Sequence, residues 1–561
     1  MDELAQTLVK RHRSMEEIRQ PYEELIQSSL DYVNPRRYDF AGVKDPGMVR
    51  KTKQYDGTAQ DAFLSWVDGI LGWYISKSLL WFDSYIPNRE LRQVDHIITY
   101  CQEYTEQMGY EFRSSNFYDV FPEYLRDGGG SGTGTMLTEE AKDKKRIIHT
   151  VPHPGKVYIL EDSEGNVNVE HLTFTLTARQ ADEKFPGGNF NENFRKCLSD
   201  PVRCDTKFDF IQCIFPSDDR AISPTKIGKK KWANVYVLVG SKDSAGLANT
   251  ATESTVVEIG NGYSYNPATV WRFRKNSDEI YGYSPAMDVM CSITASQQIG
   301  KSLIHMGNLA AATPTNIPEE MAATFSMLPN ARNTYSDPSR IAMPMPLGGE
   351  YPIAKDREDY IHELIRKRYG DQFWSAMIML AQKTERVPAT QVMELRADQA
   401  MMLVGQIDNL GSRGIAPIWD SVAAIAIRAG RMPPAPQELL DAKTEMNIKF
   451  IGPLAKFQDQ MWKTNSLKQT LQTVAGLGQM LGPQVFDGVK VNDTVEYMWE
   501  SGGSPRDLYR SKDEIIEIQR RRAEQEAVVQ GAETMKTMAE GMNKLTKGAE
   551  DGSPMEQMVG T

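Results

Sequence analysis

The sequence predicts a helix-rich α+β fold. Outside the middle of the chain, apolar residues recur at the three- and four-residue spacing of amphipathic helices. Between Thr135 and Phe273 the pattern changes to β-branched and aromatic segments, which are separated by Gly, Asp and Asn turns and are typical of antiparallel strands. A helical hairpin then follows, and its connection is too long to be a turn.

Composition and charge narrow the class of protein. The 561 residues are enough for several domains, and 40% hydrophobic with 25% charged residues is ordinary for a globular protein. We expect no membrane span and no signal peptide, because no long apolar run occurs. Five scattered cysteines indicate a reducing compartment. A net charge of −11 argues against gripping nucleic acid through phosphate neutralisation, and an acidic chain that meets DNA is expected to confine it rather than hold it.

The N-terminal part contains two predicted helices with a basic segment between them. Residues 1–33 form a polar helix with sparse apolar positions, which we expect on a surface or at a subunit contact. The basic residues 36–53 are interpreted either as a solvated loop or as a contact for nucleic acid or an acidic subunit. Asp56 is a predicted N-cap for the strongest helix in the chain. That helix carries one continuous apolar face at Ala59, Ala62, Phe63, Trp66, Val67, Ile70, Leu71 and Tyr74.

A glycine-rich stretch runs from Asp127 to Thr135. A phosphate-binding P-loop would need a lysine at its end, and this stretch has none. We therefore predict a flexible connection that leads into a strand.

No cofactor or metal site is expected. His149 and His153 are four residues apart, but Pro152 and Pro154 rule out a regular helix and no third ligand accompanies them. Cysteine spacing does not match zinc sites. A metal-dependent nuclease remains an alternative of another class, and it would require a convergent polar site that no motif indicates.

The hairpin region divides into segments of different character. Residues 279–312 and 356–383 are the two predicted helical arms, and residues 313–355 form a proline-rich tip that we expect to contact partners. Residues 384–390 are a short polar break. A third helical run from Gln391 is expected to break between Gly411 and Pro417 and to resume at Ile418. A strand at 445–450 and a polar helix at 511–547 follow.

Several of these stretches resemble portal, or head-to-tail connector, proteins of short-tailed bacteriophages (podoviruses). The resemblance covers roughly residues 1–510 and rests on the order and spacing of structural motifs. These are Tyr55-Asp-Gly-Thr-Ala-Gln-Asp-Ala62 leading to Trp81-Phe82, Gly128 to Thr135, Tyr281-Gly-Tyr-Ser-Pro-Ala286, Val387-Pro-Ala-Thr-Gln-Val392, Leu410 to Trp419 and Gly430-Arg-Met-Pro-Pro434.

The resemblance implies a dodecameric ring at one capsid vertex, a channel for packaging and ejecting double-stranded DNA. Within it, residues 1–278 and 391–510 would form a wing, 279–312 and 356–383 a two-helix stem, and 313–355 a clip. Residues 384–390 would form a tunnel loop, and 511–561 a C-terminal helical crown and tail.

The resemblance also implies partners and contact residues. The terminase large subunit, which is the packaging ATPase, would dock at the clip, and tail adaptor proteins would replace it. Capsid and scaffold proteins would also bind this virion protein, which would assemble in the host cytoplasm. Candidate channel residues are Lys383, Thr384 and Arg386. Candidate docking residues are Asn316, Asn330, Arg332, Tyr335 and Arg340. The alternative within the same class is a virion or scaffold protein without a channel.

Overall fold

The structure is a computed structural model that divides into two units, residues 1–455 and 456–561. It describes residues 2–37, 54–141, 146–239, 254–311, 351–375 and 405–452 (without 443 and 445). Scattered positions within 314–344 and short helical stretches within 470–540 are also described.

Helices make up much of the described part of the first unit, including both arms of the hairpin. They are α1 (Asp2–Val33), α2 (Thr58–Trp73), α3 (Asp95–Ser114), α4 (Phe117–Ser131), α5 (Ala178–Lys184), α6 (Glu192–Ser199), α7 (Pro285–Asp288), α8 (Met290–Ala311), α9 (Tyr351–Tyr369), α10 (Ala416–Arg428) and α11 (Gln437–Ala442). A π-helical segment, Leu410–Ile415, leads directly into α10.

Twelve strands are described, and all the paired strands are antiparallel. They are β1 (Phe82–Tyr85), β2 (Thr133–Glu140), β3 (Ile147–Thr150), β4 (Val157–Glu161), β5 (Val167–Thr177), β6 (Lys207–Pro216), β7 (Trp232–Leu238), β8 (Thr255–Ile259), β9 (Ala268–Arg272), β10 (Thr315–Asn316), β11 (Met343–Pro344) and β12 (Asn447–Phe450). The largest sheet is the meander β4-β5-β6-β7-β8, a second has the order β3-β2-β9, and β1-β12 and β10-β11 form pairs. The α+β prediction is confirmed.

Helix α1 is more deeply buried than predicted. Leu8 and Met15 belong to one core cluster with Tyr158 and Val235 of the five-stranded sheet. The sparse apolar positions are spaced so that they form one stripe, which the sheet covers. The helix thus packs against its own chain, whereas a surface position was expected.

The first half of the glycine-rich stretch is helical rather than a flexible connection, and the predicted strand follows it, since α4 ends at Ser131 and β2 begins at Thr133. Gly128, Gly129 and Gly130 are buried within α4. A Cβ at Gly128 would lie 2.3 Å from the Trp271 ring, and one at Gly129 would lie 2.6 Å from Trp66. These glycines let indole rings pack against the helix backbone, so the prediction of a flexible loop is wrong.

The later helices also differ from expectation. Helix α9 begins at Tyr351, five residues before the expected start, and ends at Tyr369, just before Gly370, whose φ is +66°. Residues 371–375 are helical again. The expected break after Gly411 is instead a continuous π-helical segment, in which Gly411 makes room for Tyr74 and Phe450.

In the second unit, residues 470–474 and 534–540 are helical, and most of the predicted helix over 511–547 lies outside the described residues. None of the helices in the described part of the chain is long and apolar enough to cross a membrane.

Candidate functional site: the base of the helical hairpin

A buried polar cluster joins the start of α2 to both arms of the hairpin. Ser296 of α8 donates a 2.6 Å hydrogen bond to Asp56 Oδ2. Thr58 donates to Asp56 Oδ1 through its hydroxyl (2.8 Å) and its backbone amide (3.2 Å). His362 Nε2 of α9 lies 3.3 Å from Asp56 Oδ1 and 3.1 Å from Ser296 Oγ.

Asp56 therefore stabilises more than its own helix. Burial opposes its charge, but hydrogen bonds from Ser296 and Thr58 lower the pKa of Asp56 overall. The prediction that Asp56 is the N-cap is wrong by one residue, because Gly57 occupies the N-cap position and Asp56 instead accepts from Thr58, the first residue of α2. The contacts to Ser296 and His362 could not be predicted, because those residues are more than 200 positions away.

Gln297 completes the attachment of α8 to the segment before α2. Its Oε1 accepts hydrogen bonds from the amides of Tyr55 (2.7 Å) and Asp56 (3.1 Å). Its Nε2 donates to the Asp56 carbonyl at 2.6 Å. One buried side chain thus satisfies three backbone groups, which fixes the position of α8 relative to α2.

A second attachment lies where the hairpin leaves the sheet. Gly132 has a φ of +83°, and a Cβ there would lie 2.2 Å from the Gly282 carbonyl oxygen. The Gly282 amide donates to Thr133 Oγ1 at 3.0 Å. Ser284 then caps α7 by accepting from the Met287 amide. The glycine-rich stretch and the Tyr281-to-Ala286 motif therefore meet at this point.

A group of partly exposed ion pairs connects α7 to α9. Asp288, at the end of α7, is paired with Arg274 at 3.0 Å and also with Arg368 near the end of α9. Burial, with the neighbouring Arg274 charge, lowers the pKa of Arg368. These groups are partly exposed, so we assign them a smaller energetic role than the Asp56 cluster.

Aromatic packing supports the second arm. Trp374 is fully buried against Gly69 of α2, where a Cβ would lie 2.3 Å from the indole. Its Nε1 donates to the Tyr369 carbonyl at 3.2 Å. Tyr369 packs edge-on against Phe63 of α2, with centroids 6.0 Å apart.

Apolar side chains are exposed on both helices of the hairpin. From Lys301 to Ala311, every residue of α8 is at least partly accessible, and Ile304 is 50% exposed. On α9, Tyr360 is 56% and Leu364 37% exposed. The spacing of four residues places these two side chains on one face.

The tip contains a short antiparallel pair between β10 and β11. Asn333 closes a loop by exchanging two 2.8 Å hydrogen bonds with the backbone of Ser326. Of the predicted docking residues, Asn316 lies in β10 and Arg332 is exposed. Asn330, Tyr335 and Arg340 lie outside the described residues, as do the channel candidates Lys383, Thr384 and Arg386.

Among the described residues, no group of three His, Cys, Asp or Glu side chains is arranged to hold a metal ion. His149 is buried beside Thr138 Oγ1 at 3.1 Å, and burial lowers the pKa of His149 to about 3. His153 Nδ1 accepts from the Gly155 amide at 3.0 Å. The two histidines thus have separate local contacts.

The polar groups at the hairpin base bind one another and hold two long helices, which is a structural arrangement. The chain belongs to the family of bacteriophage head to tail connecting proteins, whose family model matches residues 5–509. It is therefore a connector component of a phage virion, with a role between capsid and tail. No curated protein matches the chain significantly.

Proposed function

We propose that this connector is a portal protein, which forms a ring at one capsid vertex and provides the channel for DNA packaging and ejection. The observation that carries the proposal is the hairpin itself, because polar contacts hold its base while both of its helices leave apolar side chains exposed. Exposed apolar stripes on a fixed helical pair favour packing against neighbouring copies.

In this proposal the wing comprises residues 1–278 and 391–510, and the stem comprises 279–312 and 356–383. The clip, 313–355, docks the terminase large subunit and later the tail adaptor through residues such as Asn316 and Arg332. Residues 384–390 form the tunnel loop, and 511–561 the crown. A ring of twelve subunits follows from the family resemblance. We propose no catalytic role.

The assembly surface can be tested with paired variants. Introducing Ile304→Asp together with Leu364→Asp puts one charge on an exposed apolar position of each hairpin helix, and we expect a shift from rings to monomers in native mass spectrometry. Val202→Asp is the control, because Val202 is 89% exposed in a turn after α6. Ring assembly by the double variant, equal to that of wild type, would contradict the proposed packing.

A further inference from the structure

The turn between β6 and β7, which we name the basic turn (residues 217–231), concentrates positive charge in an acidic chain. It carries Arg220, Lys226, Lys229, Lys230 and Lys231, whereas the whole protein has a net charge of −11. All except Lys230 are exposed. The turn is therefore positively charged, although the whole chain is negatively charged.

The backbone of the basic turn is fixed. Ile227 is buried in the core cluster shared by α1 and the five-stranded sheet. Its amide donates to the Ser217 carbonyl at 2.9 Å, and Ser217 Oγ donates to the Lys230 carbonyl at 2.6 Å. A ligand would meet a preorganised loop, so little backbone entropy would be lost on binding.

The charges of the basic turn lack local counterions. Asp219, one of its two carboxylates, is paired with Arg11 of α1 at 2.8 Å. Within the described part of the chain, Arg220, Lys226, Lys229 and Lys231 form no ion pair, so only Asp218 offsets them inside the turn. Clustered like charges without partners cost stability, which favours a function in binding an anion.

The inward-facing lysine extends the positive surface. Lys230 Nζ donates to the Gly262 carbonyl at 3.1 Å. Burial and the nearby Arg428 charge lower the pKa of Lys230. Arg428 of α10 is itself paired with Glu140 at 2.8 Å, so it adds no net charge to the turn.

We propose that the basic turn binds the phosphate backbone of double-stranded DNA. Lysine ammonium groups are suited to sequence-independent phosphate contacts. The turn contains no aromatic residue on which unpaired bases could stack, which favours duplex over single-stranded nucleic acid. The inference goes beyond the proposed channel, because it adds a DNA contact on the body of the protein. It rests on the proposed function only for the presence of DNA.

The test is fluorescence anisotropy of a short labelled duplex with the full chain across a salt series. The triple variant Lys226→Gln, Lys229→Gln and Lys231→Gln is compared with wild type. We expect the slope of log K against log salt to become shallower by about 2 to 3, because each phosphate contact contributes about 0.9. At low salt the Kd should rise at least ~10-fold.

The matched control removes three exposed cations elsewhere on the same unit, by Arg195→Gln, Lys196→Gln and Lys207→Gln. It should retain the wild-type slope. The proposal is overturned if wild type binds no duplex at low salt, if both triple variants lose affinity equally, or if the basic-turn variant keeps the wild-type slope. The same proteins are also titrated with polyglutamate. If the basic-turn variant loses polyglutamate binding but keeps DNA binding, the turn is a site for an acidic protein and the DNA proposal is overturned. Native mass spectrometry of the same samples reports ring assembly separately, so failure here is distinguishable from failure of the portal proposal.

Discussion

Ser296 in the first hairpin arm donates a 2.6 Å hydrogen bond to Asp56, which lies 240 residues earlier at the start of α2. His362 from the second arm lies within 3.3 Å of the same carboxylate. One aspartate therefore joins three helices, and the position of the hairpin depends on it. The exposed apolar side chains of the hairpin form the proposed assembly surface. The Asp56 cluster is therefore expected to hold that surface in position.

Replacing Asp56 should loosen the hairpin. Asp56→Ala leaves Ser296 and Thr58 without their acceptor, and we expect a loss of about 1–3 kcal/mol in the free energy of unfolding. Amide hydrogen exchange in α8 should accelerate. Urea unfolding and exchange mass spectrometry measure the two effects.

Asp68→Ala is the control, since Asp68 is exposed on the same helix. If both variants unfold at the same urea concentration and exchange alike, the Asp56 cluster does not hold the hairpin.

Adding a methyl group to a buried glycine of α4 should destabilise the protein. Gly128→Ala places a Cβ 2.3 Å from the Trp271 ring, and overpacking of this kind costs about 1–3 kcal/mol. Gly72→Ala in α2 has no atom within 4 Å and should stabilise the helix by about 0.5–1 kcal/mol. Thermal unfolding of the two variants should shift in opposite directions. A neutral or stabilising Gly128→Ala would refute the close packing.

His12 of α1 stacks on His171 of β5, and this buried pair predicts sensitivity to acid. His12 and His171 have ring centroids 5.6 Å apart, and Arg11 and Arg19 from α1 lie near them along with Glu16, Tyr158 and Cys213. Burial, followed by the Arg19 charge, lowers the pKa of His12 to about 4. Burial, followed by the charges of His12 and Arg11, places the pKa of His171 well below its usual range.

The direction in which stability changes with pH follows from proton linkage. The unfolded chain binds protons at these histidines near pH 6.5, while the folded chain resists them until about pH 4 at His12. Stability is therefore fully present above pH 6.5 and is lost as the pH falls towards 4, by about 3 kcal/mol for His12. His149 contributes in the same direction.

The measurement is urea unfolding at neutral and acidic pH. The double variant His12→Phe and His171→Leu should lose less stability on acidification than wild type. An identical pH dependence in the two proteins would show that other groups control the acid response.

Deleting Asn316 to Pro346 tests whether the tip is separable. The contacts described within this segment include the β10-β11 pair and the Asn333 loop. We expect a folded subunit that no longer binds its tail adaptor, as judged by circular dichroism and co-purification. Loss of folding would contradict an autonomous tip, and retained adaptor binding would contradict its docking role.

Local patterns predicted much of this fold, because strand alternation and helical periodicity are properties of neighbouring residues. They anticipated the strands around Phe210 and the apolar face of α2. They failed where a distant residue decides the local structure. Gly128 is helical because Trp271 packs on it, and no pattern near position 128 contains that information.

The candidate site was predictable to a similar extent. The long hairpin was evident from its two periodic arms and its proline-rich tip. A role for Asp56 at the start of α2 was also expected, but Gly57 is the N-cap, and the bond from Ser296 to Asp56 depends on tertiary packing. The net charge of the whole chain did not predict the basic turn, because the negative total hides local positive charge. The run Lys229-Lys-Lys231 could have indicated it.

We propose that copies of this chain form a ring around a channel. The decisive measurement is native mass spectrometry of the purified protein, with negative-stain images of the same sample. We expect a ring near twelve subunits with an open central hole. A closed oligomer without a hole, under conditions in which the hairpin and its Asp56 cluster are intact, would contradict it.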